Sequence, residues 1–290
     1  MKTANSRLIL GLWRITQWGM SPEQVAGLVS ACLDLGIDTF DLADIYGDYR
    51  CETMFGVALQ AYPQLKSRIK LIGKCGIALV STARPAHRVK HYNTGREHIV
   101  AAVENSLRSL GVEKLDLLLI HRPDPLMNAD EVAEAFDLLK RAGKVEGFGV
   151  SNFLPHQFDL LQSRMHEPLR TNQVEVSLMH TDSLFDGTLD QCQRLRVSPQ
   201  AWSPLAGGEL VRPREATNLN RALERMGHEW GVTPEQLAIA WLLHHPSGIS
   251  PILGSGKLPR IRELVDAQHI VLDRQTWFEL LEAAVGREVP

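Results

Sequence analysis

The chain has 290 residues, 44% of them hydrophobic and 22% charged, with a formal net charge of -3 at pH 7. That length can bury a large core, either in two ordinary domains or in one α/β barrel. The near balance of charge offers no electrostatic footprint for nucleic acid, which would need a basic face or stripe, and no polybasic segment suggests anionic lipid.

The opening run Met1-Lys2-Thr3-Ala4-Asn5-Ser6-Arg7 leads into only a short apolar stretch, too short for the core of a secretory signal. No segment approaches the roughly 20 apolar residues of a membrane helix. Cys32, Cys51, Cys75 and Cys192 are scattered, without a C-x-x-C pair or metal-ligand spacing. They read as free, packed thiols, so a cytoplasmic location and no metal are expected.

In chain order, Leu8 to Trp13 is a short apolar strand candidate. Ser21-Pro22-Glu23 then supplies an N-cap, a proline at the first helical position and an early acid. Helical spacing follows from Val25 to Leu35 and stops at Gly36. Strand-like runs recur at Ile37 to Asp41, Ile69 to Lys74, Leu115 to Ile120, Val145 to Val150, Thr171 to Val176, Gln200 to Trp202 and Ile249 to Leu253. Helical patterns alternate with them at Glu52 to Leu59, Glu97 to Leu110, Asp130 to Ala142, Pro155 to Ser163 and Leu189 to Leu195. Two more, Leu219 to Trp230 and Pro234 to His244, form a doubled helix; Arg260 to Ala267 and a tail at Thr276 to Ala284 complete the series.

Eight such units in one uninterrupted chain predict a closed parallel (β/α)₈ barrel, a single domain over residues 1–290. A doubly wound open sheet is the competing architecture. It is disfavoured because no G-x-G-x-x-G follows an early strand.

A parallel strand buried on both faces has no use for polar residues at its C-terminal end unless they act there. The strand ends here read Asp41, Lys74, His121, Ser151-Asn152, Gln173, Trp202-Ser203 and Gly254-Ser255-Gly256-Lys257, with Tyr46 on the loop after Asp41. Singly, Asp41 and Tyr46 read as a turn former and a half-buried aromatic. Lys74 differs, because burying a lysine is expensive. Together, phenol, ammonium, carboxylate and imidazole suit proton donation to an oxygen that is gaining negative charge. An ammonium stabilises a phenolate and lowers the phenol pKa from about 10. The set holds no electron source, so a hydride carrier must be supplied.

At these residues the sequence resembles the aldo-keto reductase superfamily, and within it the bacterial YdhF-type branch of oxidoreductases. The motifs are Asp41-Leu42-Ala43-Asp44-Ile45-Tyr46 with Glu52 and Gly56, Gly73-Lys74, and Leu118-Leu119-Ile120-His121-Arg122-Pro123-Asp124. Gly147 to Phe153, Asn172-Gln173-Val174, Ala201 to Gly208 and Pro251 to Lys257 follow in family order. The resemblance implies a barrel that binds NADP(H) without a Rossmann fold and reduces an aldehyde or ketone to an alcohol. It implies Tyr46 as general acid, Lys74 and Asp41 as its tuning pair, and His121 as the group that orients the carbonyl.

The same resemblance implies that Ser151, Asn152 and Gln173 bond the nicotinamide carboxamide and that Trp202 stacks on the ring. It implies that Ser203 to Gly208, Leu205 and Gly207 included, bind pyrophosphate. Gly254, Ser255, Gly256, Arg260 and Glu263 match the adenosine end, and Lys257 adds a cation for a 2′-phosphate. Leu264 stands where the family has an amide. Trp13, at the first strand end, joins the expected cofactor contacts.

The expected partner is a small carbonyl compound, with no nucleic acid and no membrane, for a monomer or weak homo-oligomer. The charged stretch from Ile77 to Thr94 reads as a solvated loop. A Schiff-base lyase using Lys74 and a non-catalytic NADP(H)-sensing subunit are the competing functions.

Overall fold

The computed structural model describes residues 7–210, 212 and 217–289. The opening residues Met1–Ser6, read above for a targeting signal, lie outside them. The chain forms two compact units, divided after Gln173.

The first unit begins with β1 (Ile9–Gly11), α1 (Pro22–Asp34), β2 (Thr39–Asp41), α2 (Tyr46–Tyr49), α3 (Cys51–Ala61) and β3 (Lys70–Cys75). A two-stranded antiparallel ribbon, β4 (Ile77–Ala78) and β5 (His91–Tyr92), comes next. It continues with α4 (Arg96–Leu110), β6 (Leu117–Ile120), α5 (Ala129–Arg141), β7 (Phe148–Ser151) and α6 (Pro155–Gln162), and the division falls within β8 (Asn172–Glu175). The second unit carries α7 (Thr188–Leu195), β9 (Gln200–Trp202), α8 (Asn218–Trp230), α9 (Pro234–His244), β10 (Ser250–Leu253), α10 (Leu258–Asp266) and α11 (Arg274–Val285).

The eight main strands are ordered β1-β10-β9-β8-β7-β6-β3-β2 in a closed barrel, the expected fold class. Parallel pairing runs β1 to β2, β2 to β3, β3 to β6, β6 to β7 and β7 to β8, and β9 pairs with β10. Strands are shorter than the apolar runs. Leu115 and Val145, read as strand starts, meet only in an isolated bridge before β6 and β7 begin.

The helix signals act as local chemistry dictates. Ser21 and Gln24 form a capping box with Pro22 in the first turn, which satisfies otherwise orphaned N–H groups of α1. Gly111 ends α4 in the left-handed conformation at φ 64°. In the first unit Phe136 of α5 stacks on Phe148 of β7 with ring centroids 4.1 Å apart. At Gly56 α3 comes close against α4: a Cβ there would stand 2.0 Å from the Ser109 carbonyl oxygen. In the second unit Trp241 and Trp277 stack at 4.9 Å, and each indole N–H donates to the other's carbonyl at 3.1 and 3.0 Å. All four cysteines are free and buried. No helix among the described residues is long and apolar enough to cross a membrane.

Tyr46 lies on the connection after β2, as expected, and opens α2, a tight turn in which Gly47, Asp48 and Tyr49 have φ of 58°, 58° and 64°. One local expectation needs correction. The stretch from Ile77 to Thr94 is not wholly a loop, because its ends pair as β4 and β5. Two residues per strand are too few for alternation to reveal.

Candidate active site

Asp41 ends β2 opposite Ile72 of β3, and Lys74 lies two residues further along β3; their side chains meet in the interior, with the residues 3% and 1% exposed. The Lys74 ammonium donates to Asp41 Oδ1 at 2.6 Å, to the Leu42 carbonyl at 2.8 Å and to the Tyr46 hydroxyl at 3.0 Å. Three acceptors thus take its three protons. Gln173, from β8, donates its side-chain amide to Asp41 Oδ2 at 2.8 Å. Both carboxylate oxygens are therefore fixed. The half-buried Tyr46 lies edge-on to His121, with centroids 5.6 Å apart, and the Trp13 ring is 6.4 Å from Tyr46.

Burial opposes the charge on Lys74, but Asp41 and Tyr46 outweigh it and lift the ammonium above its ordinary value. The Tyr46 phenol is pushed above its ordinary value by burial; Lys74 pulls it back, and Asp41 adds to the rise. The expected fall in the phenol pKa is therefore only one contribution, smaller than desolvation. His121 is held well below its ordinary range by burial first, then by Lys74, Arg122 and Lys90. At neutral pH the constellation is a neutral phenol, a charged lysine and a neutral imidazole. The buried His121 Nδ1 has no hydrogen-bond partner.

The end of β7 continues the site. Ser151 donates its hydroxyl to the Gln173 carbonyl at 2.8 Å, and the Asn152 amide donates to Ser151 Oγ at 2.7 Å. Asn152 takes a left-handed φ of 60°, a conformation that asparagine tolerates better than most residues. The structure thus brings together Asp41, Tyr46, Lys74, His121, Ser151, Asn152 and Gln173, with Trp13 at the edge and 56% exposed.

In the second unit, Trp202 ends β9 half-buried, and the turn beyond it departs repeatedly from right-handed backbone. Ser203, Ala206, Gly207 and Gly208 have φ of 51°, 49°, 68° and 104°. Within this turn Ala206 N–H donates to the Ser203 carbonyl and Gly208 N–H to the Leu205 carbonyl, both at 2.8 Å. Gly254 to Gly256 lead from β10 to Lys257, the N-cap residue of α10, and Lys257 N–H donates to Ser255 Oγ at 3.2 Å. Lys257 and Arg260 are exposed at this helix start. Glu263 lies further along α10, with its backbone carbonyl bonded by Gln236 at 2.9 Å, and Leu264 is buried as an apolar filler.

Sequence reading missed the surroundings of Lys74. Glu52, 4% exposed, has an oxygen with no partner, and burial pushes its carboxyl up to about 7. Asp44 is raised well above the ordinary range by desolvation, then by Glu52. Burial pushes the Cys75 thiol far up, so it is inert. A lone acid in the first turn of a helix carries no sign of burial, because that is also where exposed acids are favoured.

The chain belongs to the aldo/keto reductase family, whose model matches residues 7–284. It is an oxidoreductase by that membership. It is 50% identical to the oxidoreductase YdhF of Escherichia coli over 98% of this chain and 95% of that protein. It is 49% identical to a 6-dehydroglucose reductase of Agrobacterium fabrum, over 98% of this chain and 96% of the relative. The solved structure of an aldo/keto reductase from Klebsiella pneumoniae in complex with NADP and acetate is similar at a TM-score of 0.79 and 27% identity. That likeness covers 96% of this chain and 91% of the other.

Proposed function

We propose that the chain acts as one domain and reduces an aldehyde or ketone to an alcohol with NADPH, with Tyr46 as the proton donor. The observation that carries this reading is the chain of contacts Asp41–Lys74–Tyr46, buried at the lysine and half-buried at the tyrosine. NADPH supplies the hydride when bound. As negative charge develops on the carbonyl oxygen, the Tyr46 O–H bond breaks to give that oxygen its proton. The phenolate left behind faces the Lys74 ammonium at hydrogen-bond distance, which lowers the cost of forming it. A phenol with a raised pKa is fully protonated at neutral pH, so the donor form is always present. Neutral His121 carries one N–H, which orients the carbonyl oxygen beside Tyr46.

Ser151, Asn152 and Gln173 would hold the nicotinamide carboxamide, and Trp202 the ring. Ser203, Leu205 and Gly207, in a turn of alternating hand, would hold pyrophosphate. Gly254, Ser255, Gly256, Lys257, Arg260 and Glu263 would hold the adenosine end, with the two exposed cations at a helix start taking a 2′-phosphate. Trp13 would line the mouth beside Tyr46. A Schiff-base role for Lys74 is disfavoured, because that chemistry needs a neutral amine and three acceptors hold this one charged.

The relative from Agrobacterium fabrum makes a hexose carrying an aldehyde the first substrate to test. Loss of NADPH absorbance is measured with 6-dehydroglucose and with a panel of aldehydes, ketones, quinones and dicarbonyls. Glucose formed in step with NADPH consumed is the expected result. No oxidation across the whole panel by folded protein overturns the reading.

A further inference from the structure

β7 ends beside the start of β8, with Val150 opposite Asn172 and Ser151 opposite Gln173. The chain leaves the barrel there through Asn152, whose φ of 60° lies in the left-handed region, tolerated by asparagine but not its preferred state. A backbone of this kind persists where its surroundings fix both peptide planes that flank it. Two consecutive residues of β8 do so here. The plane before Asn152 contains its own N–H, which donates to the Gln173 carbonyl at 2.9 Å. The plane after it contains the Phe153 N–H, which donates to the Asn172 side-chain oxygen at 3.4 Å.

Asn172 does more than accept that long bond. Its side-chain amide also donates to the Phe153 carbonyl at 2.7 Å, so one amide engages both main-chain groups of a residue 19 positions away. Asn172 and Phe153 are both buried, so water does not stand in for either bond. Successive side chains of a strand point to opposite faces. Gln173 reaches Asp41 from one face of β8, and Asn172 reaches Phe153 from the other. Between them the Gln173 carbonyl takes a second donor, the Ser151 hydroxyl at 2.8 Å, whose oxygen accepts from the Asn152 side-chain amide at 2.7 Å. Burying an amide costs free energy unless it is bonded, and an apolar residue would fill this place without that cost. The clamp on Phe153 is what the amide adds.

We propose that Asn172 is a positioning residue for the nicotinamide end of the cofactor, its amide clamping the Phe153 backbone so that Ser151 and Asn152 present their polar groups in one fixed arrangement. The consequence for binding rests on the reading that Ser151 and Asn152 hold the nicotinamide carboxamide. Asn172 acts through the backbone of Asn152 and is not itself a cofactor contact. Without the clamp, the plane that follows Asn152 loses its anchor and the left-handed conformation loses half of its support. The nicotinamide half of NADPH should then bind less well. The adenosine end is assigned to other residues, on α10 and the turn before it. A nucleotide that lacks nicotinamide, 2′,5′-ADP, should therefore be indifferent to the change.

The experiment compares wild type with Asn172→Leu, which keeps much of the volume and removes both bonds. Backbone hydrogen exchange is followed by NMR at Asn152 and Phe153, with Leu119 of β6 as the reporter of general opening. Dissociation constants are measured for NADPH and for 2′,5′-ADP. Exchange at Asn152 and Phe153 should quicken by about tenfold relative to Leu119, the scale of one lost hydrogen bond. NADPH should bind about 5–10-fold less tightly while 2′,5′-ADP stays within about twofold. Unchanged exchange at the two amides, or a rise that Leu119 shares equally, overturns the clamp. Equal weakening of the two nucleotides overturns the positioning role, as does an unchanged NADPH affinity where wild type prefers NADPH to 2′,5′-ADP. If Asn172→Leu does not fold, Asn172→Asp serves: it keeps the oxygen that accepts from Phe153 N–H and loses the amide that donates to the Phe153 carbonyl, and the same outcomes decide. Exchange needs no nucleotide. If it quickens as expected while wild type binds NADPH no more tightly than 2′,5′-ADP, the assignment of Ser151 and Asn152 to the nicotinamide has failed rather than the clamp.

Discussion

Gln173 donates its side-chain amide to Asp41 Oδ2 at 2.8 Å, across 132 positions of sequence, while Lys74 occupies Oδ1 at 2.6 Å. Resemblance placed Gln173 on the nicotinamide, but the structure also gives it a direct hold on the carboxylate that orients Lys74. Gln173→Leu removes that hold and leaves a buried charged acceptor short of one donor. The expected result is a fall in kcat of about tenfold, the scale of one lost hydrogen bond to a charged group. Nucleotide affinity, read by fluorescence titration, should change less than kcat. The reverse split would make the nicotinamide contact the main role of Gln173.

The exposed cations Lys257 and Arg260 should decide which nucleotide is used. Replacing both with alanine removes two charge-assisted bonds available to a 2′-phosphate. The KM for NADPH should rise by about 10–100-fold, at about 1.5–3 kcal/mol for a charged bond. The KM for NADH should change little. Parallel steady-state measurements with the two nucleotides check this, and equal rises would point to a role that does not involve the phosphate.

Glu52 makes stability depend on pH. Its folded-state carboxyl is raised from 4.5 to about 7, so the folded protein binds its proton more tightly than the unfolded chain. The contribution is fully present below about pH 4.5 and is lost as pH rises through about 7. Wild type should therefore lose about 3 kcal/mol relative to Glu52→Gln between pH 4.5 and pH 8. Urea unfolding of both proteins at the two pH values reads the difference. A constant difference between them would mean that the Glu52 carboxyl is not raised by folding.

Much of the site was legible because a barrel strand end converts one dimension into three. An apolar run such as Leu117–Ile120 followed by His121 fixes both the strand and the direction of the next side chain. Asp41 and Lys74 were legible on the same grounds. The Gln173–Asp41 bond was not, because nothing local distinguishes an amide aimed at a cofactor from one aimed at a carboxylate. The β4–β5 ribbon escaped because its pairing is too short to leave a period. The left-handed backbone that follows Tyr46 escaped because Gly47 was the one residue to hint at it, while Asp48 and Tyr49 take positive φ as well. The raised phenol shows the limit of pairwise chemistry: Lys74 was visible in the sequence, but the burial that outweighs it was not.

The role of Tyr46 is tested most directly by measuring turnover and NADPH binding together in Tyr46→Phe. The substitution removes the hydroxyl that Lys74 contacts at 3.0 Å and keeps the ring that packs edge-on to His121. The expected result is a loss of carbonyl reduction of about 10²–10⁴-fold, the usual contribution of a positioned acid, with the NADPH dissociation constant changed by no more than about threefold. Full turnover in Tyr46→Phe, with NADPH still bound, would contradict the assignment of Tyr46 as proton donor.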